Sequence, residues 1–265
     1  MSEQTAAALS VMEREVEVST PEGRCDAVFV HPTEGRHAGV LIWPDAFGLR
    51  PAFREMGRRL AAQGHAVLVP NPFYRSLRAP VFQDISHFNF QNPDDRAKLM
   101  PLMESLNTAG AAVRDAMAYI GFLDAQPQVD TSRKIGVQGY CLGGPLAVRA
   151  CAAVPGRVGA GASFHGGGLV TDKPDSPHRL APQIKARLYF AVASNDEARE
   201  PDTKIKLREA FAAAGVAAEI ELYPTALHGW CMRDMPEQGG KPVYSRPDAE
   251  HAWSKLLALY HDALA

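Results

Sequence analysis

Cys141 stands in the segment Gly139-Tyr140-Cys141-Leu142-Gly143-Gly144, between the apolar run Ile135-Gly136-Val137-Gln138 and a run of small residues from Pro145 to Ala153. Gly-x-nucleophile-x-Gly between a strand and a helix forces a turn so tight that the middle side chain stands above the sheet. The glycines supply the backbone freedom for that turn. A thiol is a softer and more acidic nucleophile than a hydroxyl. A helix starting just after it aims amide dipoles at the sulfur and favours the thiolate. The chemistry implied is nucleophilic attack on an electrophilic carbon, which needs a base for the thiol proton and an acid to orient that base.

In a sheet of this kind the partners follow in the order nucleophile, acid, histidine, each in a loop at the carboxyl end of a later strand. The apolar run Arg187 to Val192 is followed by Ala193-Ser194-Asn195-Asp196-Glu197, and the run Glu219 to Leu222 by Tyr223-Pro224-Thr225-Ala226-Leu227-His228-Gly229-Trp230. Taken singly, an aspartate after a strand is most often a turn or helix cap, and a histidine before glycine is most often structural. Three strand ends that each carry the required group point instead to a Cys141-Asp196-His228 triad, with Glu197 as the rival acid. His165, in His165-Gly166-Gly167-Gly168 after the run ending at Phe164, either lines the pocket or is structural.

The elements that must position these groups follow from the apolar pattern. Glu13 to Val18 alternates charged and apolar residues and, after Thr20-Pro21-Glu22-Gly23, pairs with Arg24 to Val30 as an antiparallel hairpin. Continuous apolar runs at Gly39 to Trp43, Ala66 to Val69, Lys134 to Val137, Val158 to Phe164, Arg187 to Val192 and Glu219 to Leu222 read as strands covered on both faces. Helical stretches separate them. These are Arg54 to Leu60, Ala111 to Leu123 after an Asn107-Thr108 cap, Thr203 to Ala214 stopped by Gly215, and His251 to Ala263. Strand–helix alternation predicts a mostly parallel central sheet with helices on both faces and the antiparallel hairpin at one edge, in one domain spanning 1–265. The stretch Asn71 to Pro101 carries several prolines and aromatics with weak periodicity. A long irregular segment after a strand end is either a lid-like, substrate-contacting loop or a passive surface excursion.

Composition narrows the function classes. The 265 residues carry a net charge of -2, with 46% hydrophobic and 22% charged residues, so no electrostatic case exists for nucleic acid or an anionic membrane. The start of the chain has no positive n-region and no long apolar core, and no apolar run is long enough to span a bilayer, which points to the cytoplasm. Cys25, Cys141, Cys151 and Cys231 lack CxxC spacing and suit a reducing compartment. Neither phosphate-cradling glycine motifs nor clustered metal ligands are visible, so no cofactor or metal is expected. Nothing demands more than a monomer, and a small homo-oligomer is equally compatible.

Gly-Tyr-Cys-Leu-Gly-Gly, Asn195-Asp196 and Leu227-His228-Gly229-Trp230 resemble the dienelactone hydrolase (carboxymethylenebutenolidase) family within the α/β-hydrolase superfamily. Trp43-Pro44-Asp45-Ala46-Phe47-Gly48-Leu49 resembles that family's acidic-x-Phe-Gly segment, and Asn71-Pro72-Phe73-Tyr74-Arg75 its Pro-x-x-Tyr-x-Arg region, so the similarity spans roughly residues 13 to 262. The resemblance implies an α/β-hydrolase fold and cleavage of a lactone or carboxylic ester through an acyl-thioester. It implies an oxyanion hole from the backbone N–H groups of Ala46 and Leu142. It also offers Asp45, Tyr74, Arg75, Arg233 and Trp230 as substrate-binding or modulating residues. Arginines in that family hold a substrate carboxylate, a task suited to the guanidinium fork. Arg75 matches one position, with Arg78 as competitor, and Arg233 falls in the segment of the other. Family members often have glutamate at the place of Asp45, where it holds the resting thiol protonated. The shorter Asp45 either does the same or caps its loop. A non-catalytic binding protein on this fold and an acyltransferase with an acceptor other than water are the competing functions.

Overall fold

The computed structural model describes residues 8–106 and 110–265. The charged/apolar alternation builds β1 (Val11–Thr20), and a turn at residues 21–22 returns the chain antiparallel as β2 (Gly23–Pro32). β3 (Ala38–Trp43), β4 (His65–Pro70), β5 (Ile135–Tyr140), β6 (Val158–Phe164), β7 (Arg187–Ala193) and β8 (Ala218–Tyr223) complete an eight-stranded sheet in the order β1-β2-β4-β3-β5-β6-β7-β8. β2 meets β4 antiparallel, and every pairing from β4 to β8 is parallel. This is the mostly parallel α/β-hydrolase sheet with its antiparallel N-terminal hairpin.

Every residue of β3, β4 and β5 is buried, because helices cover both faces of a parallel sheet. Pleating divides each strand between two cores. Leu41 and Trp43 of β3 belong to the core on the side of the sheet covered by α3 (Ala111–Asp124), α4 (Gly143–Ala153) and α6 (Thr203–Ala213), while Val40 and Ile42 belong to the core on the side covered by α1 (Pro51–Ala61) and α7 (Arg246–Ala263). The Asn107-Thr108 cap expected for α3 lies outside the described residues. Among the described residues no helix is long and apolar enough to cross a membrane.

Two segments differ from the sequence reading. The irregular stretch 71–101 ends in a helix, α2 (Pro93–Ser105), whose first turn is set by the Asn92 side chain accepting from the Asp94 amide, Pro93 at the start, and Asp94 and Asp95 near the N-terminal dipole. Pro101 inside α2 removes one backbone donor, and only Leu99 and Leu102 are buried, so the helical period is faint in the sequence. Asn195 and Asp196, expected in a loop, sit on the short helix α5 (Ser194–Arg199) directly after β7.

The register delivers the chemistry to one edge. Trp43 pairs with Gly139, Tyr140 with Phe164, and Ala193 with Tyr223, so the chain leaves β3, β5, β6, β7 and β8 at neighbouring points.

Candidate active site

Cys141 occupies the turn between β5 and α4 with φ of 53°, a left-handed conformation that costs energy for a residue with a side chain. Backbone bonds hold it there: the Cys141 N–H donates to the Phe164 carbonyl at 3.0 Å, and the Gly144 N–H to the Cys141 carbonyl at 3.0 Å. Close approach explains the flanking glycines. A Cβ on Gly139 would lie 1.9 Å from the Gly143 carbonyl oxygen, and one on Gly143 would lie 2.4 Å from the Trp43 carbonyl oxygen. The elbow is thereby pressed against the end of β3, where residues 45–50 begin.

His228 follows β8 and is fixed from two directions. Its backbone N–H donates to Asn195 Oδ1 at 2.8 Å, and its Nδ1 donates to the Asp196 carboxylate at 2.8 and 2.9 Å. With Nδ1 committed to Asp196, Nε2 is the edge left for the sulfur. Burial alone would lower the imidazole pKa, but the Coulombic effect of the Cys141 sulfur, with the hydrogen bonds the ring makes to Asp196 and Cys141, raises it from 6.5 to about 10. The shift favours the protonated imidazole. Burial pushes the Cys25 and Cys151 thiols up to about 12 and holds that of Cys231 well above its ordinary value.

The rival acid points elsewhere, for Glu197 pairs with Lys204 at 3.0 Å. Ala46 and Leu142 lie beside the elbow, and among the described residues no backbone or side-chain acceptor takes their amide protons. Asp45 is fully engaged. Both its oxygens accept from Arg50, at 2.6 and 3.0 Å, and one also accepts from the Phe47 N–H at 2.9 Å. Its hydrogen bonds are those of a loop cap held by a buried cation, and none goes to the Cys141 thiol. Arg50 in turn donates to both oxygens of Asp234, at 2.7 and 3.0 Å, tying the loop after β3 to the loop after His228.

Cys141 and His228 open onto a cleft of about 1050 Å³. Arg233 lines it, together with Arg199, which the sequence reading did not single out. Tyr74 and Arg75 do not line it. Arg75 forks onto Asp115 at 2.7 and 2.9 Å and bonds Glu22, while the Tyr74 hydroxyl bonds Thr20 at 2.7 Å and Asp115 at 2.9 Å. Asp115 on α3 is 2% exposed and needs that cation, so Arg75 braces the hairpin turn against α3 and is not free to hold a substrate carboxylate. Its competitor Arg78 pairs with Glu17 at 2.9 Å. Trp230 is fully buried, stacked on Tyr223 at 4.9 Å and edge-on to His165 at 5.2 Å, and supports the site from behind.

His165 proves to be a close neighbour of the site. It is buried, has φ of 41°, and packs edge-on to His228 at 4.9 Å. Burial, then the charge of His228, holds its pKa well below the usual value, which favours its neutral form. Arg199 and Arg50 escaped the sequence reading, and Asn195 entered it only as the neighbour of Asp196, with no role of its own. Neither arginine carried a local signal. Among the described residues no group of three or more His, Cys, Asp or Glu could hold a metal ion.

The strand order and the cysteine elbow define an α/β-hydrolase. The chain belongs to the dienelactone hydrolase family, whose model matches residues 25–264. A Methylorubrum extorquens protein provisionally named a carboxymethylenebutenolidase is 26% identical over 251 residues, covering 91% of this chain and 78% of that one. Protein usf of Aquifex pyrophilus is 26% identical over 231 residues, covering 85% and 88%. The dienelactone hydrolase-like promiscuous phosphotriesterase P91 from metagenomic libraries superposes with a TM-score of 0.78 at 24% identity, covering 98% of this chain and 100% of that one. The dienelactone hydrolase of Anabaena variabilis gives 0.62 at 18%, covering 96% and 99%, and these two likenesses speak to the fold.

Proposed function

We propose that the chain hydrolyses carboxylic esters or lactones through Cys141 as nucleophile, His228 as base and acid, and Asp196 as the group that orients His228. The observation that carries the reading is the His228 imidazole, bonded through Nδ1 to Asp196 at 2.8 Å while the Cys141 sulfur raises its pKa. The provisional carboxymethylenebutenolidase name of the Methylorubrum extorquens relative agrees with a lactone substrate.

In the reaction the thiolate sulfur forms a bond to the carbonyl carbon, and the carbonyl π electrons move onto oxygen. The Ala46 and Leu142 amides donate to that oxyanion, and losing one such donor costs about 3–4 kcal/mol of barrier. The oxyanion collapses, the carbon–oxygen bond to the leaving group breaks, and the imidazolium Nε2 proton passes to the departing alkoxide. A Cys141 thioester remains. Neutral His228 then takes a proton from water as its oxygen attacks the thioester carbon, and collapse releases the carboxylic acid and the thiolate, which pairs again with the imidazolium. Arg199 and Arg233 at the cleft offer positive charge to an acidic substrate.

Release of p-nitrophenol from p-nitrophenyl acetate tests this. A burst stoichiometric with enzyme, followed by slower steady turnover, is expected and should vanish in Cys141→Ala. Unchanged turnover in Cys141→Ala refutes the nucleophile. Product analysis with added alcohol or thiol acceptors separates hydrolysis from acyl transfer.

A further inference from the structure

The bond from His228 Nδ1 to Asp196 fixes the imidazole only if the backbone carrying it is held as well. The local chain holds that backbone incompletely. Residues 227–230 form a turn closed by the Trp230 N–H donating to the Leu227 carbonyl at 3.0 Å, with Gly229 third in the turn at φ of 99°. Such a turn uses the N–H of its last residue and leaves that of its second, here His228, without a partner. Glycine also gives the chain just after the histidine its widest conformational freedom. A part-buried N–H needs an acceptor, and Asn195 Oδ1 supplies it at 2.8 Å.

Three consecutive residues after β7 provide the hold. The Ser194 N–H and hydroxyl both donate to the Ala226 carbonyl, at 2.9 and 2.8 Å, Asn195 accepts from the His228 N–H, and Asp196 takes Nδ1. Residues 194–196 thereby clamp residues 226–228. The Ser194 contact is doubled and lies two residues before the histidine, and Asp196 acts on the ring. Only the Asn195 bond grips the backbone of His228 itself among the described residues. The Asn195 carboxamide makes no other hydrogen bond among those residues, and it lines the cleft beside Cys141 and His228. It is therefore placed at the reacting groups and tied to one of them. Proton transfer through Nε2 depends steeply on distance, and a displacement of about 1 Å can cost roughly a hundredfold in rate.

Resting on the hydrolase reading above, we infer that Asn195 is a positioning residue, whose side-chain oxygen holds the His228 backbone where Nε2 reaches the attacking water. The test partitions the acetyl-enzyme formed from p-nitrophenyl acetate between water and added hydroxylamine. Water must lose a proton to His228 as it attacks, whereas hydroxylamine attacks through nitrogen without that help. The ratio of acetate to acetohydroxamate, after subtraction of the reaction without enzyme, therefore reads the placement of His228, and any loss of folded enzyme cancels. Asn195→Leu keeps the side-chain size and removes the acceptor, and it should lower the ratio about 10- to 100-fold. Asn195→Asp restores an acceptor at the same place and should return the ratio to within about threefold of wild type. Where Asn195→Leu fails to fold, Asn195→Ala makes the same comparison. A ratio unchanged by loss of the acceptor, or lowered as far by Asn195→Asp, overturns the inference while the hydrolase reading stands. A wild-type enzyme that forms no acetyl-enzyme at Cys141 brings down the hydrolase reading and this inference with it.

Discussion

Arg50→Met is the perturbation whose consequences the structure specifies most fully. Arg50 is 3% exposed and Asp45 1% exposed, and the guanidinium donates to both Asp45 oxygens and both Asp234 oxygens. Without it the Asp45 carboxylate is left buried with the Phe47 N–H as its remaining donor. Removing one partner of a buried ion pair costs about 3–5 kcal/mol. At roughly 2–4 °C per kcal/mol for a domain of this size, Tm should fall by about 6–20 °C. Asp234 is 35% exposed, so water takes over its charge and it adds little to the loss. Adding Asp45→Asn removes the stranded charge, and the double variant should recover most of the stability. Function should follow the loop, because Ala46 sits next to Asp45. Displacing its amide from the oxyanion should lower kcat about a hundredfold or more while KM changes little. Thermal denaturation followed by circular dichroism, with steady-state kinetics on the same samples, measures both effects. A drop in Tm below about 2 °C, or a double variant no more stable than Arg50→Met alone, refutes the reasoning.

Stability should also track the charge on His228. Its pKa rises from 6.5 to about 10 in the fold, so its contribution is full below pH 6.5 and disappears as pH climbs through about 10. Subtracting the Tm profile of His228→Asn from that of the wild type should isolate this loss, and a flat difference contradicts the ion pair. Asp196→Asn should lower kcat/KM by roughly 10²–10⁴-fold, whereas Glu197→Gln, whose carboxylate faces Lys204, should leave it within about twofold. Equal losses in the two variants would contradict the assignment of the acid. Arg75→Met should cost about 3 kcal/mol of stability by stranding Asp115, with KM unaltered, while Arg233→Met should raise KM for a carboxylate-bearing ester at little cost in Tm. A raised KM in Arg75→Met would restore it to the cleft.

The three residues of the proposed triad could be picked out because each lies within a few residues of the end of a strand that the apolar pattern marks plainly. Strand ends in a parallel sheet fall on one edge whatever the loops between them do, so Cys141, Asp196 and His228 could be assembled without knowing the path of the connections. Charge pairing was not legible in this way. Arg75 looked like a substrate ligand because Glu22 and Asp115, which consume its donors, lie far from it in the chain and meet it only when the hairpin turn folds against α3. Arg50 was overlooked for the same reason, since Asp234 reaches it across 184 positions. The helix α2 was hidden by Pro101 and by its two buried leucines, although Asn92-Pro93-Asp94-Asp95 is a helix start that could have been read. The aromatic group around Phe47 had no periodic signature, because Phe47 follows β3 while Phe82, Phe88 and Phe90 belong to the irregular segment between β4 and α2, and the two meet only in three dimensions.

The most direct measurement is chemical identification of the intermediate. Enzyme mixed with p-nitrophenyl acetate, quenched in acid during the burst and digested, should yield the peptide containing Cys141 with an acetyl group on the sulfur, and Cys141→Ala should yield no acetylated peptide. A burst accompanied by acetyl on any other side chain, with Cys141 unmodified, would contradict the account.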